Sequence, residues 1–174
     1  HLEGMGDLDE VAREKGSIFN GLRPEGVAVI NADDAYCGFW RDMASAHRQL
    51  TFGIDRAADV RGRVLEHGLE VRLQLTTPAG EVDITLQVPG RHNARNAVAA
   101  AAACIAAGIP LSAVADGLAA FTGVKGRLQR RAGRKGAEIL DDTYNANPDS
   151  VRAGIDVLAA TIGRKVLVLG DMGE

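Results

Sequence analysis

Two asparagines three residues apart, Asn93 and Asn96, follow Pro89-Gly90-Arg91-His92 and run straight into an alanine-rich stretch. An alternating strand pattern stops there and a helical one begins, so both asparagines fall in the first turns of a helix. A helix start carries unpaired backbone N–H groups and partial positive charge, which favours polar or anionic ligands. Each carboxamide offers donors and an acceptor, the equipment for reading a purine edge. The plain alternative is that Asn93 caps the helix. Asp141-Asp142 is a second candidate, at the end of a strand. Neighbours on a strand point to opposite faces, so these two are not spaced as an acid–base pair. Asp33-Asp34 also ends a strand, where a simple turn accounts for it better than a metal site. Lys15 shares the apolar stripe Leu8, Val11, Ala12, Ile18, Phe19 and Leu22. It is therefore expected either to snorkel to the surface or to be held inside for a purpose.

The elements around these residues alternate. Asp7 and Glu10 have capping-box spacing and open a helix expected to reach Leu22. A strand over 27–30, a helix carrying Phe39, Trp40 and Met43, and a strand near 49–52 follow, which is an α/β pattern. From Asp59 the period becomes two. Val60 and Val64, then Leu69, Val71, Leu73 and Leu75, then Val82, Ile84, Leu86 and Val88 alternate with polar residues. His67-Gly68 and Pro78-Ala79-Gly80 supply the turns, giving an antiparallel meander with one wet face. Helices are expected over 92–107 and 111–121. Gly123 and Gly126 flank a joint at which the backbone can swivel. Beyond it, paired strands over 128–131 and 137–141, a helix over 150–162 and a strand over 165–169 are expected to close a βαβ unit. Ligands gather at the carboxyl ends of such strands.

Composition narrows the function. The chain has 174 residues, 46% apolar and 25% charged, with a net charge of −3. That is an ordinary globular composition without a broad basic face. The cluster Arg127, Arg130, Arg131, Arg134 and Lys135 has no interleaved aromatic residue, so a solvated hairpin is expected and not a nucleic-acid site. The 2 cysteines, Cys37 and Cys104, lack metal or disulfide spacing, which points to a reducing cytoplasm. No apolar run is long enough to span a membrane. The start at His1 without methionine suggests an internal piece of a longer protein.

Four pieces, in order, resemble the Mur ligases, ATP-dependent amide-forming enzymes of peptidoglycan synthesis. They are His1-Leu2-Glu3 with Lys15 downstream, Gly90-Arg91-His92-Asn93-Ala94-Arg95-Asn96, Gly126-Arg127, and Leu140-Asp141-Asp142-Thr143-Tyr144-Asn145-Ala146-Asn147-Pro148. The last is the most specific, being similar to the version carried by the member that adds D-alanyl-D-alanine. The closing Leu169-Gly170-Asp171-Met172-Gly173-Glu174 fits the same member. The resemblance implies the later part of a central ATPase domain over residues 1–126. The start of a Rossmann-like ligase domain would occupy residues 127–174. The implied reaction joins D-alanyl-D-alanine to UDP-N-acetylmuramoyl-tripeptide through an acyl phosphate, with ATP and Mg²⁺, in a cytoplasmic monomer.

The resemblance also implies the roles of single residues. Lys15 matches the lysine that becomes a carbamate, and His1 matches a metal-ligand histidine, although a terminal His-Leu-Glu is also a common tag remnant. Asn93 and Asn96 would hold adenine, Arg127 the phosphates on closure, and Asp142 the ribose hydroxyls. His92 is expected to be structural, and Tyr144, Asn145 and Asn147 to shape the substrate side. The family's UDP-sugar domain and Gly-Lys-Thr phosphate loop have no counterpart in the 174 residues, so this stretch alone is expected to be inactive. The alternatives are another Mur ligase, a folylpolyglutamate synthetase, or a non-catalytic nucleotide-binding module.

Overall fold

The computed structural model describes residues 6–67 and 69–172. Five strands form one sheet in the order β1 (Val27–Asn31), β2 (Arg48–Gly53), β3 (Val60–His67), β4 (Val71–Thr77) and β5 (Gly80–Leu86). The meander expected from period two is present as β3–β4–β5, all antiparallel, with Val71 opposite Leu86 and Arg61 opposite Thr76. It is not a separate sheet. β2 pairs with β3 in parallel through Phe52 and Val60, so the α/β part and the meander share one ladder.

Alternation decides what covers the sheet. On β4, Val71, Leu73, Leu75 and Thr77 are buried and the residues between them are not. The buried face lies under α3 (Arg91–Ala106), whose Ala94, Ala97, Val98, Ala101 and Ala102 are buried. Small side chains let the helix lie close. Gly62 of β3 sits beneath Val98, and a Cβ on Gly62 would come within 2.4 Å of Val98 Cγ2. The second helix of this layer, α4 (Leu111–Ala120), packs along β5 through Val114. Among the described residues, the opposite face is covered at the parallel end. There Ala28 and Ile30 of β1 meet Phe19, Leu22, Trp40 and Ala44, contributed largely by the N-terminal segment and α2 (Cys37–Met43).

The first helix departs from expectation. α1 runs from Leu8 to Gly16, capped by Asp7 accepting from the Glu10 N–H at 2.8 Å, and then tightens into a 3₁₀ turn over Ser17–Gly21. The change of pitch breaks the 3.6-residue period on which the long stripe depended. Its buried face is Ala12 and Gly16, while Leu8 and Ile18 are 63% and 71% exposed. Lys15 is therefore exposed and not held inside.

After Gly123 the chain forms a hairpin of β6 (Gln129–Ala132) and β7 (Glu138–Asp141), antiparallel, followed by α5 (Pro148–Ala160). Asn147 caps α5 in a complete capping box with Ser150. The strand expected over 165–169 does not form. Among the described residues no strand lies beside it, and Val166, Leu167, Val168 and Leu169 are exposed. A strand is defined by its ladder partner, so β-branched composition without one leaves extended chain, and no βαβ unit closes here.

Candidate functional site at the start of α3

Gly90 is the N-cap of α3, at φ 94 and ψ 145, a conformation essentially reserved for glycine. A Cβ there would meet the His92 ring at 2.6 Å and Val157 Cγ2 of α5 at 3.0 Å. Asn93 is thus not the cap. It lies one turn in, and its Nδ2 donates to the Pro89 carbonyl at 2.7 Å. That bond fixes the carboxamide plane and leaves Oδ1 and the second N–H for a ligand. Asn96 is exposed on the next turn.

Across from this turn stands the end of β7. Asp142 Oδ1 accepts from the Leu128 N–H at 3.1 Å, where Leu128 is buried and holds φ 48. The carboxylate therefore relieves a backbone donor in a strained stretch and still has Oδ2 to offer. Asp141 points the other way, to Arg131 Nη1 at 3.0 Å and to Thr143 Oγ1 at 2.7 Å. The Thr143 hydroxyl first, then Arg131, hold its carboxyl below the usual carboxylate range despite some desolvation. The two neighbours serve opposite faces, as strand geometry requires.

His92 joins the two sides. Burial pushes its imidazole pKa below the ordinary histidine value; the Asp142 charge opposes that shift and Arg95 adds to it. Together with Gly90 and Arg91 it faces Ala153, Asp156, Val157 and Ala160 of α5 across a cleft of about 290 Å³. Sequence reasoning set His92 aside as structural; its half-buried place against α5 and the charge of Asp142 are tertiary facts.

Arg127 is exposed with its guanidinium 4.3 Å above the Tyr144 ring. The Tyr144 N–H donates to the Gly126 carbonyl at 3.0 Å, and the Arg127 N–H to Val124 at 3.1 Å. The expected swivel is therefore a tight turn tied to the residues after β7. Asn147 is occupied by capping α5, and Asn145 accepts from the Ala146 N–H at 2.8 Å. Arg130 and Arg131 pair with Glu138 and Asp141 across the hairpin, which accounts for much of the basic cluster.

Among the described residues no hydrogen bond or ion pair joins Lys15 to this turn, and His1 lies outside the described residues. Asp34 accepts from the Tyr36 N–H, and Asp33 accepts three backbone N–H groups, so the pair is the turn expected. Among the described residues no group of three or more His, Cys, Asp or Glu side chains could hold a metal ion. Of the two residues expected to hold Mg²⁺, Lys15 would supply an oxygen donor only as a carbamate, and His1 lies outside the described residues.

The Mur ligase middle domain model matches residues 1–104, and the Mur ligase, glutamate ligase domain model matches residues 126–174. The chain belongs to the Mur ligase family. It is 43% identical to the UDP-N-acetylmuramoyl-tripeptide–D-alanyl-D-alanine ligase of Escherichia coli over its whole length, covering 39% of that protein. A UDP-N-acetylmuramate–L-alanine ligase of Streptomyces coelicolor is 34% identical over 97% of the chain and 37% of its own length. Among solved structures, MurF from Acinetobacter baumannii superposes with a TM-score of 0.92 at 37% identity, over 99% of this chain and 38% of that one. The mixed α/β fold is thus a Mur ligase fold, and the chain spans well under half the length of these relatives.

Proposed function

We propose that this chain is part of an ATP-dependent ligase that joins D-alanyl-D-alanine to UDP-N-acetylmuramoyl-tripeptide. The observation that carries the reading is the cleft between the start of α3, which bears Asn93 and Asn96, and α5, whose Gly154 lies against Asp142 Oδ2. The domains divide at Gly126, with residues 1–126 in the central ATPase unit and 127–174 opening the ligase unit. Asn93 and Asn96 hold the adenine edge, and Asp142 Oδ2 accepts from the ribose. Arg127 leaves Tyr144 to meet the phosphates, where a planar guanidinium suits phosphate oxygens. A tripeptide carboxylate oxygen attacks the γ-phosphorus and ADP departs. The dipeptide amine then attacks the acyl carbon, losing its proton as phosphate leaves. The ligase works as a cytoplasmic monomer, as the family resemblance implies.

Identity of 43% with the D-alanyl-D-alanine ligase against 34% with the L-alanine ligase supports this member over its sisters. So does Asp142-Thr143-Tyr144-Asn145-Ala146-Asn147-Pro148. The test is nucleotide and tripeptide affinity in the full-length ligase containing Asp142→Asn or Asp142→Ala. Asparagine keeps an acceptor for the Leu128 N–H but removes the charge. It should weaken ATP binding roughly ten- to a hundredfold, the worth of a charge-assisted hydrogen bond, and leave the tripeptide alone. Alanine should add a loss of stability. Unchanged ATP affinity in Asp142→Asn would remove Asp142 from the site.

Lys15 carries a second proposal from the same family resemblance. Its exposed amine is reachable by CO₂; attack by nitrogen on carbon with loss of a proton gives a carbamate, an oxygen-donor anion in place of a cation. Lys15→Arg in the full-length ligase keeps the positive charge but cannot form this carbamate, and phosphate release should stop. Near-normal turnover would show that Lys15 acts only as a surface cation.

A further inference from the structure

Asp33, at the end of β1, has a side chain only 7% exposed. Its carboxylate accepts from the backbone N–H groups of Ile54 (2.7 Å), Asp55 (3.0 Å) and Arg56 (2.8 Å), the loop leaving β2. Gly53 makes room for it, since a Cβ there would stand 2.8 Å from Asp33 Oδ1. Burial alone would raise the Asp33 pKa, but these three donors and the nearby Arg95 outweigh it and hold the group ionised. The loop so fixed presents Asp55 to α3. One oxygen, Oδ1, bonds Arg91 Nη2, and the other, Oδ2, bonds Arg95 Nη2 at 3.2 Å. Arg95 Nε is buried without a hydrogen-bond partner and lies 4.0 Å from Asp33 Oδ2.

Arg91 and Arg95 are one turn apart on the same side of α3. At 3.6 residues per turn, Asn96 and Asn93 lie roughly 120° and 180° further round from their midpoint. The buried Ala94, Ala97 and Val98 set the rotation of α3 about its axis, and one carboxylate gripping two arginines holds its first turn there, which decides where the asparagines aim. We propose that Asp55, with Arg91 and Arg95 and anchored through Asp33, positions the Asn93–Asn96 turn for the nucleotide. This deepens the function proposed above and rests on it. None of these four side chains need touch the nucleotide; they are positioning residues.

The experiment measures binding of a non-hydrolysable ATP analogue and of UDP-N-acetylmuramoyl-tripeptide to the full-length ligase. Asp55→Asn should weaken the nucleotide roughly three- to tenfold, the range two half-exposed ion pairs can carry, with tripeptide affinity and Tm unchanged. Asp55→Glu should restore most of the loss. At high salt the gap between Asp55→Asn and the native protein should shrink, because exposed charges are screened. If Asn96→Ala weakens the nucleotide while Asp55→Asn does not, the positioning role is wrong and the site reading stands. Equal weakening of both ligands with a lower Tm, unrelieved by glutamate, would reduce the cluster to a structural one. Asn96→Ala without effect would remove the nucleotide reading itself, and the positioning role with it.

Discussion

Leu73 in β4 is fully buried, whereas Ile139 in β7, equally apolar and equally in a strand, is 49% exposed. The first sits in a five-stranded ladder roofed by α3; the second sits in a two-stranded hairpin. Up to Gly123, order comes from a continuous apolar layer between sheet and helices. Beyond it, order comes mainly from local hydrogen bonds, the Asn147 capping box, and a few contacts such as Val157 and Leu128. A two-stranded sheet is marginal by itself. The C-terminal residues therefore lean on the start of α3, and that contact is also where the site residues converge.

The comparison can be broken by mutation. Leu73→Ala should cost roughly 2–5 kcal/mol, the range for emptying a packed core position, and lower Tm for the sheet and everything resting on it. A loss under about 1 kcal/mol would mean the sheet is not the stable part. Gly90→Ala should come next, at roughly 1–3 kcal/mol for a disfavoured backbone conformation, with a collision against His92 and Val157 in addition. Its signature is regional: amide exchange should quicken in α5 and stay slow in β4. Uniform acceleration would contradict the dependence of α5 on that turn.

A smaller effect separates the regions by pH. The Thr51 N–H and hydroxyl hold the Asp59 pKa below the ordinary carboxylate value, outweighing its desolvation, and the donors to Asp33 do the same there. In that window the unfolded chain binds more protons than the native one. The stability these groups contribute is complete above the ordinary carboxylate pKa and is lost as pH falls through the depressed native values. Asp33→Asn should flatten the acid limb of a Tm–pH curve and leave its shape above neutrality unchanged. An unaltered acid limb would show that Asp33 is not the group responsible. Least of all should Ile139→Ala matter, within about 0.5 kcal/mol as for an ordinary surface change.

Much of this was legible wherever period and neighbours agreed. The β3–β4–β5 alternation, the α3 start after Gly90 and the 129–141 hairpin all follow from local pattern. What escaped depends on distance in sequence. The parallel pairing of Phe52 with Val60 joins two patterns that read as separate. Asp33 is recognisable as a turn residue, but its three partners lie 21 to 23 residues away and are backbone groups, which no residue type announces. Lys15, open between surface and interior by its stripe, is exposed because α1 buries Ala12 and Gly16 and not the Leu8 side, a choice made by tertiary packing. Residues 165–169 have strand composition and no strand beside them. Asn93 and Asn96 were visible by type, while the bond of Asn93 to Pro89 and the grip of Asp55 on Arg91 and Arg95 were not.

The absence of a side chain at Gly62 has a consequence for how this sequence can drift. Val98 fills the space above it, so the two positions share one volume although 36 residues separate them. A lone enlargement at 62 would push α3 off the sheet and carry Asn93 and Asn96 with it. Substitutions there should survive selection only in pairs, alanine at 62 accompanying alanine at 98, so that across relatives the two columns change together.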